Sequence, residues 1–123
     1  MNIIVCGYGD FGKNLARELV DRHFHCTVVE NNQERAAQAA SDGFLVRVAD
    51  VTDDMVLKSL GIGESIDAIF CATSDEQVNI LVTLASRSLD EDLLIVARCV
   101  DSQSKKKLIL AGANKVIDPY ELT

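Results

Sequence analysis

Residues Asn2 to Gly12 read NIIVCGYGDFG. The run NIIVC is β-branched and apolar and stops at a glycine, the pattern of a short strand buried on both faces. Gly7-Tyr8-Gly9-Asp10-Phe11-Gly12 then matches G-x-G-x-x-G, which alone is a weak signal. Its surroundings strengthen it. Gly7 directly follows the strand, Gly12 lies inside a segment of helical periodicity, and Glu30, about twenty residues further on, closes a second apolar run. Those are the conditions of a dinucleotide-binding strand, turn and helix. Gly7 permits the tight turn, Gly9 lets a phosphate approach the backbone, and Gly12 lets the helix pack on the strand. The first-turn amides then face the phosphate with the positive end of the helix dipole. Glu30 can accept hydrogen bonds from both ribose hydroxyls and would repel a 2′-phosphate. The residues after it are Asn31 and Asn32 instead of Arg, which disfavours NADP.

Working outward, Phe11, Leu15, Leu19 and Val20 recur at helical spacing and predict a helix over 11–22. The alternation continues with strands over 25–30, 44–49, 66–72, 93–99 and 115–117. Between them the predicted helices cover 33–41, 53–60, 75–89 and 102–111. Strands separated by single helices run parallel with right-handed crossovers. The expectation is an α/β, doubly wound parallel sheet of six strands in the order 3-2-1-4-5-6, a Rossmann fold, with its crevice above strands 1 and 4. Gly43 and Gly112 fall just past helices, where a left-handed residue is needed. Residues 1–123 read as a single domain without an internal repeat, and Pro119, Tyr120 and Leu122 look like the start of a further element.

The bulk composition agrees. With 48% hydrophobic and 25% charged residues and a single proline, the chain is in the ordinary globular range. A formal charge of −7 argues against a nucleic-acid partner, which needs clustered Lys and Arg. Lys105-Lys106-Lys107 is the one basic run, read as a solvated helix face. No apolar stretch approaches the roughly 20 residues of a membrane span. The four cysteines, Cys6, Cys26, Cys71 and Cys99, lie in apolar runs without C-x-x-C spacing, which predicts reduced, buried thiols.

Other predicted strand ends converge on the same crevice: Asp50, Val51 and Thr52 after strand three, Ala72 and Thr73 after strand four, and Arg98 at the end of strand five, a cation placed to meet a phosphate. Thr52 before Asp53-Asp54, and Ser74 with Gln77, fit helix N-caps. Asp10 is a complication. A carboxylate about 5 Å from a phosphate costs about 3 kcal/mol at an effective dielectric near 20, offset by Lys13 or by a divalent cation bridging carboxylate and phosphate.

The stretches IIVCGYGDFGKNLARELV, VADVTDDMVLKSLGI, IFCATSDEQVNILVTLASR, IVARCVD and AGANKVIDPYELT cover nearly the whole chain. In them the sequence resembles the N-terminal lobe of the regulator-of-potassium-conductance domain, also called the KTN or Trk-type NAD-binding domain. The resemblance implies a cytoplasmic regulatory module at the inner face of the cell membrane that binds NAD(H) or AMP, ADP or ATP. It also implies homodimers, then rings, coupled to the membrane-embedded pore of a potassium channel or transporter. Carried over by position, the ligand contacts would be Gly7, Tyr8, Gly9, Asp10, Phe11, Gly12, Glu30, Asp50, Thr73 and Arg98, with Asn31, Val51 and Ala72 beside them. Nucleotide-binding members often carry Arg at the position of Asp10. The chain reads as an excised lobe or a very short subunit, and Val78, Leu81, Val82, Leu108 and Ile109 as candidates for its assembly interface.

Two other readings stand beside this one. An NAD-dependent oxidoreductase would need an acid or base beside the nicotinamide. The only histidines, His23 and His25, fall in the turn entering strand two, away from the crevice, so no catalytic residue is expected. A divalent-cation sensor built on Asp10, Asp50 and neighbouring acids is the other.

Overall fold

The computed structural model describes residues 1–120, so Leu122 lies outside the described residues, while Pro119 and Tyr120 form a turn. The chain alternates strictly: β1 (Asn2–Cys6), α1 (Asp10–Asp21), β2 (His25–Val29), α2 (Gln33–Ser41), β3 (Leu45–Arg47), α3 (Asp54–Ser59), β4 (Ala68–Cys71), α4 (Glu76–Leu89), β5 (Leu94–Arg98), α5 (Ser104–Ala111) and β6 (Lys115–Ile117). The strands form one sheet in the order β3-β2-β1-β4-β5-β6. Every neighbouring pair is parallel. The predicted fold class and strand order therefore hold.

Alternation along β1 builds both cores. Ile3 and Val5 point to the face covered by α1 and α2, where Ala16, Leu19 and Ala39 are buried with them. Ile4 and Cys6 point to the other face, with Leu57, Val82 and Leu108 of α3, α4 and α5. A strand covered on both sides must be apolar throughout, which is why β1, β4 and β5 show no polar alternation. The order reverses between β1 and β4, so the loops that follow them diverge to opposite faces and leave a crevice above their C-terminal ends.

Several boundaries differ from the sequence reading, for local reasons. The 44–49 strand shortens to Leu45–Arg47 because β3 is an edge and pairs only with Thr27–Val29 of β2. The 66–72 strand begins at Ala68, since the Ile66 amide donates to the Gly61 carbonyl in the preceding turn. The two proposed N-caps are each displaced by one residue. Asp53, not Thr52, caps α3 by accepting from the Met55 amide. Asp75, not Ser74, caps α4 by accepting from the amides of Gln77 and Val78. In both cases a carboxylate stands next to the hydroxyl and is the stronger acceptor for the helix-end amides. Gly43 and Gly112 do adopt positive φ, 95° and 120°.

The far end of the sheet is fastened by Arg87. Its guanidinium donates to the carbonyls of Asp90, Glu91 and Gly112 and to Asn114 Oδ1. Asn114 Oδ1 also accepts from the Ile95 amide, so one side chain ties the end of α4 to β5 and β6.

Candidate nucleotide-binding site

Above the C-terminal ends of β1, β2, β4 and β5 lies an open cavity of about 500 Å³. Its floor is the glycine loop. Gly7 has a φ of +98°, and a Cβ there would stand 3.1 Å from Thr73 Cγ2 and 3.2 Å from Thr73 Cα. At Gly12 a Cβ would stand 2.1 Å from the carbonyl oxygen of Gly7, so no side chain is tolerated while α1 leans on the end of β1. Gly9 is different: no protein atom lies within 4 Å of the place its Cβ would take, and the residue borders the cavity. Gly9 is the N-cap of α1 and offers no side-chain cap. The Lys13 amide is the first to bond back into the helix, to the Gly9 carbonyl. Among the described residues the amides of Asp10, Phe11 and Gly12 find no acceptor, leaving three donors at the positive end of the dipole.

Glu30, just past β2, is only 6% exposed and yet borders the cavity. The Tyr8 amide donates to its Oε1 and the Asn32 amide to its Oε2, each at 2.9 Å. A carboxylate oxygen has room for a second donor, so the backbone fixes the group while each oxygen keeps one acceptor site free. Asn32 in turn caps α2 through the Arg35 amide.

Of the thirteen sequence-predicted residues, eleven border this cavity: Gly7, Gly9, Asp10, Phe11, Glu30, Asn31, Asp50, Val51, Ala72, Thr73 and Arg98. Tyr8 and Gly12 do not. Tyr8 sends its ring to the opposite side, edge-on to Phe44, and its hydroxyl donates to Asp42 Oδ2. Burial and the Asp42 hydrogen bond push that phenol up to about 12. Its part in the site is its amide. Gly12 acts through packing. Lys13, expected to offset Asp10, is instead drawn to Asp42 Oδ2 at 3.8 Å.

Asp50 accepts from the Thr52 hydroxyl at 2.6 Å and from the Thr52 amide. These bonds hold its carboxyl below the usual value, so it is an ionised wall group. Arg98 lies with its guanidinium 5.0 Å from the centre of the Phe11 ring, and its buried Nε has no hydrogen-bond partner among the described residues. A buried donor left open beside a cavity is suited to an anionic oxygen.

Two residues escaped the sequence reading. Arg35, on the first turn of α2, lines the same cavity as Glu30 and adds a second arginine to it. Asn79 is fully buried on α4. Its Oδ1 accepts from the amide and hydroxyl of Thr73, and its Nδ2 donates to the carbonyls of Thr73 and Arg98. Asn79 thus locks together the ends of β4 and β5 that present Thr73 and Arg98. The signal was there: Asn79, Thr83 and Ser86 place polar groups on one buried stripe of α4.

The interface candidates separate. Val82 and Leu108 are fully buried core, so these two are not surface residues, and Val78 is half-buried, packing against that core and lining the cavity. Leu81 and Ile109 are 49% and 51% exposed, joined by Leu84 and Leu110. Among the described residues no helix is long and apolar enough to cross a membrane.

Residues 3–119 match the model of the TrkA-N domain. The chain is 31% identical over 120 residues to "Probable potassium channel protein 2" of Methanocaldococcus jannaschii, covering 95% of this chain and 35% of that protein. It therefore spans about a third of that relative. Among solved structures, the NAD(P)-binding domain of an exopolyphosphatase-related protein from Archaeoglobus fulgidus superposes with a TM-score of 0.86 at 28% identity, covering 95% of this chain and 86% of that one. The GsuK channel bound to NAD gives a TM-score of 0.84 at 28% identity, covering 94% of this chain and 21% of that one.

Proposed function

The chain belongs to the TrkA-N domain family, and from that premise we propose that it senses an adenine nucleotide, NAD(H) or AMP, ADP or ATP, and passes the binding event to potassium conduction. The observation that carries this reading is Glu30: a buried carboxylate, held by two backbone amides at the lip of an open cavity, with acceptor capacity left on each oxygen. Its geometry suits a vicinal ribose diol. The free amides of α1 and the open Nε of Arg98 supply donors suited to the attached phosphate, which supports the same reading.

Regulation, not turnover, is the reading the chemistry favours. The carboxylates of Glu30 and Asp50 are tied by hydrogen bonds that hold them as acceptors, the arrangement of a binding wall. The histidines sit at the opposite end of the sheet, His25 opening β2 and His23 in the turn before it. The potassium channel relative supports a membrane pore as partner, with this lobe on its cytoplasmic side. Leu81, Leu84, Ile109 and Leu110 supply an apolar surface on α4 and α5 for pairing two copies.

Titration calorimetry of the chain with NAD, NADH, AMP, ADP and ATP, with and without magnesium, tests the binding reading. Saturable binding that Glu30→Ala abolishes, in a variant that retains its far-ultraviolet spectrum, is the expected outcome. Binding unaffected by that change would refute it. Substrate-dependent oxidation of NADH by the chain would return the oxidoreductase.

A further inference from the structure

We propose that Asp10 makes the cleft a charge filter, favouring adenine nucleotides of low negative charge, NAD(H) and AMP, over ADP and ATP; this rests on the nucleotide reading above. The residues that line the cavity include four acids, Asp10, Glu30, Asp50 and Asp75, against two arginines, Arg35 and Arg98, a formal balance of two minus four, or −2. Three of those carboxylates are already engaged. Glu30 accepts from Tyr8 and Asn32, Asp50 from Thr52, and Asp75 caps α4. Asp10 is exposed at the first turn of α1, and among the described residues it has neither a hydrogen-bond partner nor an ion pair. The cation nearest to it in sequence, Lys13, is paired with Asp42.

The same turn presents the free amides of Asp10, Phe11 and Gly12. A carboxylate at a helix N-terminus already draws on the field that would attract a phosphate. One phosphate can be matched by those amides together with Arg98, whose guanidinium is parked over Phe11 with its Nε open. Unlike the diphosphate bridge of NAD, whose phosphates are both esterified on two sides, each terminal phosphate added in ADP and ATP brings further negative charge near Asp10, to which no cation among the described residues is paired. At a separation of about 6 Å and an effective dielectric of about 40, each added charge weakens binding roughly tenfold.

The test is calorimetry in low-salt buffer containing a chelator, with NAD, AMP, ADP and ATP titrated into the chain and into Asp10→Asn and Asp10→Arg. The native chain should bind NAD and AMP more tightly than ADP, and ADP more tightly than ATP, the preference for AMP over ATP, two added charges apart, being about a hundredfold. Asp10→Asn, which keeps the side-chain shape, should bring AMP and ATP close to parity, and Asp10→Arg should reverse the order. ATP binding to the native chain as tightly as AMP, or an AMP-to-ATP ratio unchanged in Asp10→Asn, overturns the filter while leaving the nucleotide site intact. No binding of any of the four overturns the nucleotide reading and the filter with it.

Discussion

Asn79 and Glu30 are single side chains on which the shape of the cleft depends. Asn79 makes four hydrogen bonds while fully buried, and none can be replaced by water without opening the core. Truncating it strands the Thr73 amide and the Arg98 carbonyl. Asn79→Ala is expected to cost about 3 kcal/mol of stability in urea unfolding and to weaken nucleotide binding, because Thr73 and Arg98 lose their common anchor. Asn79→Asp would not restore the anchor, since a carboxylate offers no donor to those carbonyls. At Glu30 the exchange to Gln replaces one acceptor oxygen by a donor that faces an N–H of Tyr8 or Asn32. Nucleotide affinity should fall on the order of tenfold to a hundredfold, as expected for losing hydrogen bonds to a charged group, measured by calorimetry at a temperature where the variant is folded.

At the level of elements, the strand, glycine turn and helix from Asn2 to Asp21 were legible because their constraints are local: an apolar run, a glycine where φ must be positive, a glycine where backbone meets backbone. Gly12→Ala puts a methyl group 2.1 Å from the Gly7 carbonyl oxygen. The helix must shift off the strand, so the variant should lose both stability and nucleotide binding, visible as a lower melting temperature that ligand no longer raises. The helix caps were misread by one residue because Thr52-Asp53 and Ser74-Asp75 each offer two candidates, and only the three-dimensional path of the loop decides between hydroxyl and carboxylate. Arg35 was missed for a related reason. It is one of several exposed charges on a short helix, and only the turn of the chain after Glu30 brings it to the cavity. Asn79 lay hidden because helical periodicity sorts residues into apolar and polar, and a polar residue on the apolar stripe looks like an irregularity until its partners on β4 and β5 are known.

Across the whole molecule the two packed faces set the response to alkali and to thiol reagents. All four cysteines are buried. Burial pushes Cys71 up to about 12 and Cys26 to about 11 from an ordinary value of 9.0. Tyr8 is raised to about 12 from 10.0. Each group is raised in the folded state, so its contribution is complete below the unfolded value and is lost as the pH climbs through the folded one. On the alkaline side, unfolding free energy should therefore be level from neutrality up to about pH 9 and decline between about 9 and 12. A disulfide reagent at neutral pH should label the native thiols slowly and all four promptly in denaturant; rapid native labelling would contradict the buried placement. The central claim concerns the opposite property, an open cleft that holds a nucleotide between the glycine loop and Glu30. Its most direct test is the backbone amide spectrum of the chain by nuclear magnetic resonance during titration with AMP. The largest shifts should fall on Gly9 to Gly12 and on Asn31 and Asn32, with His23 and Phe24 at the far end of the sheet unmoved. Saturating shifts elsewhere that leave the glycine loop and the Glu30 turn unchanged would contradict the account.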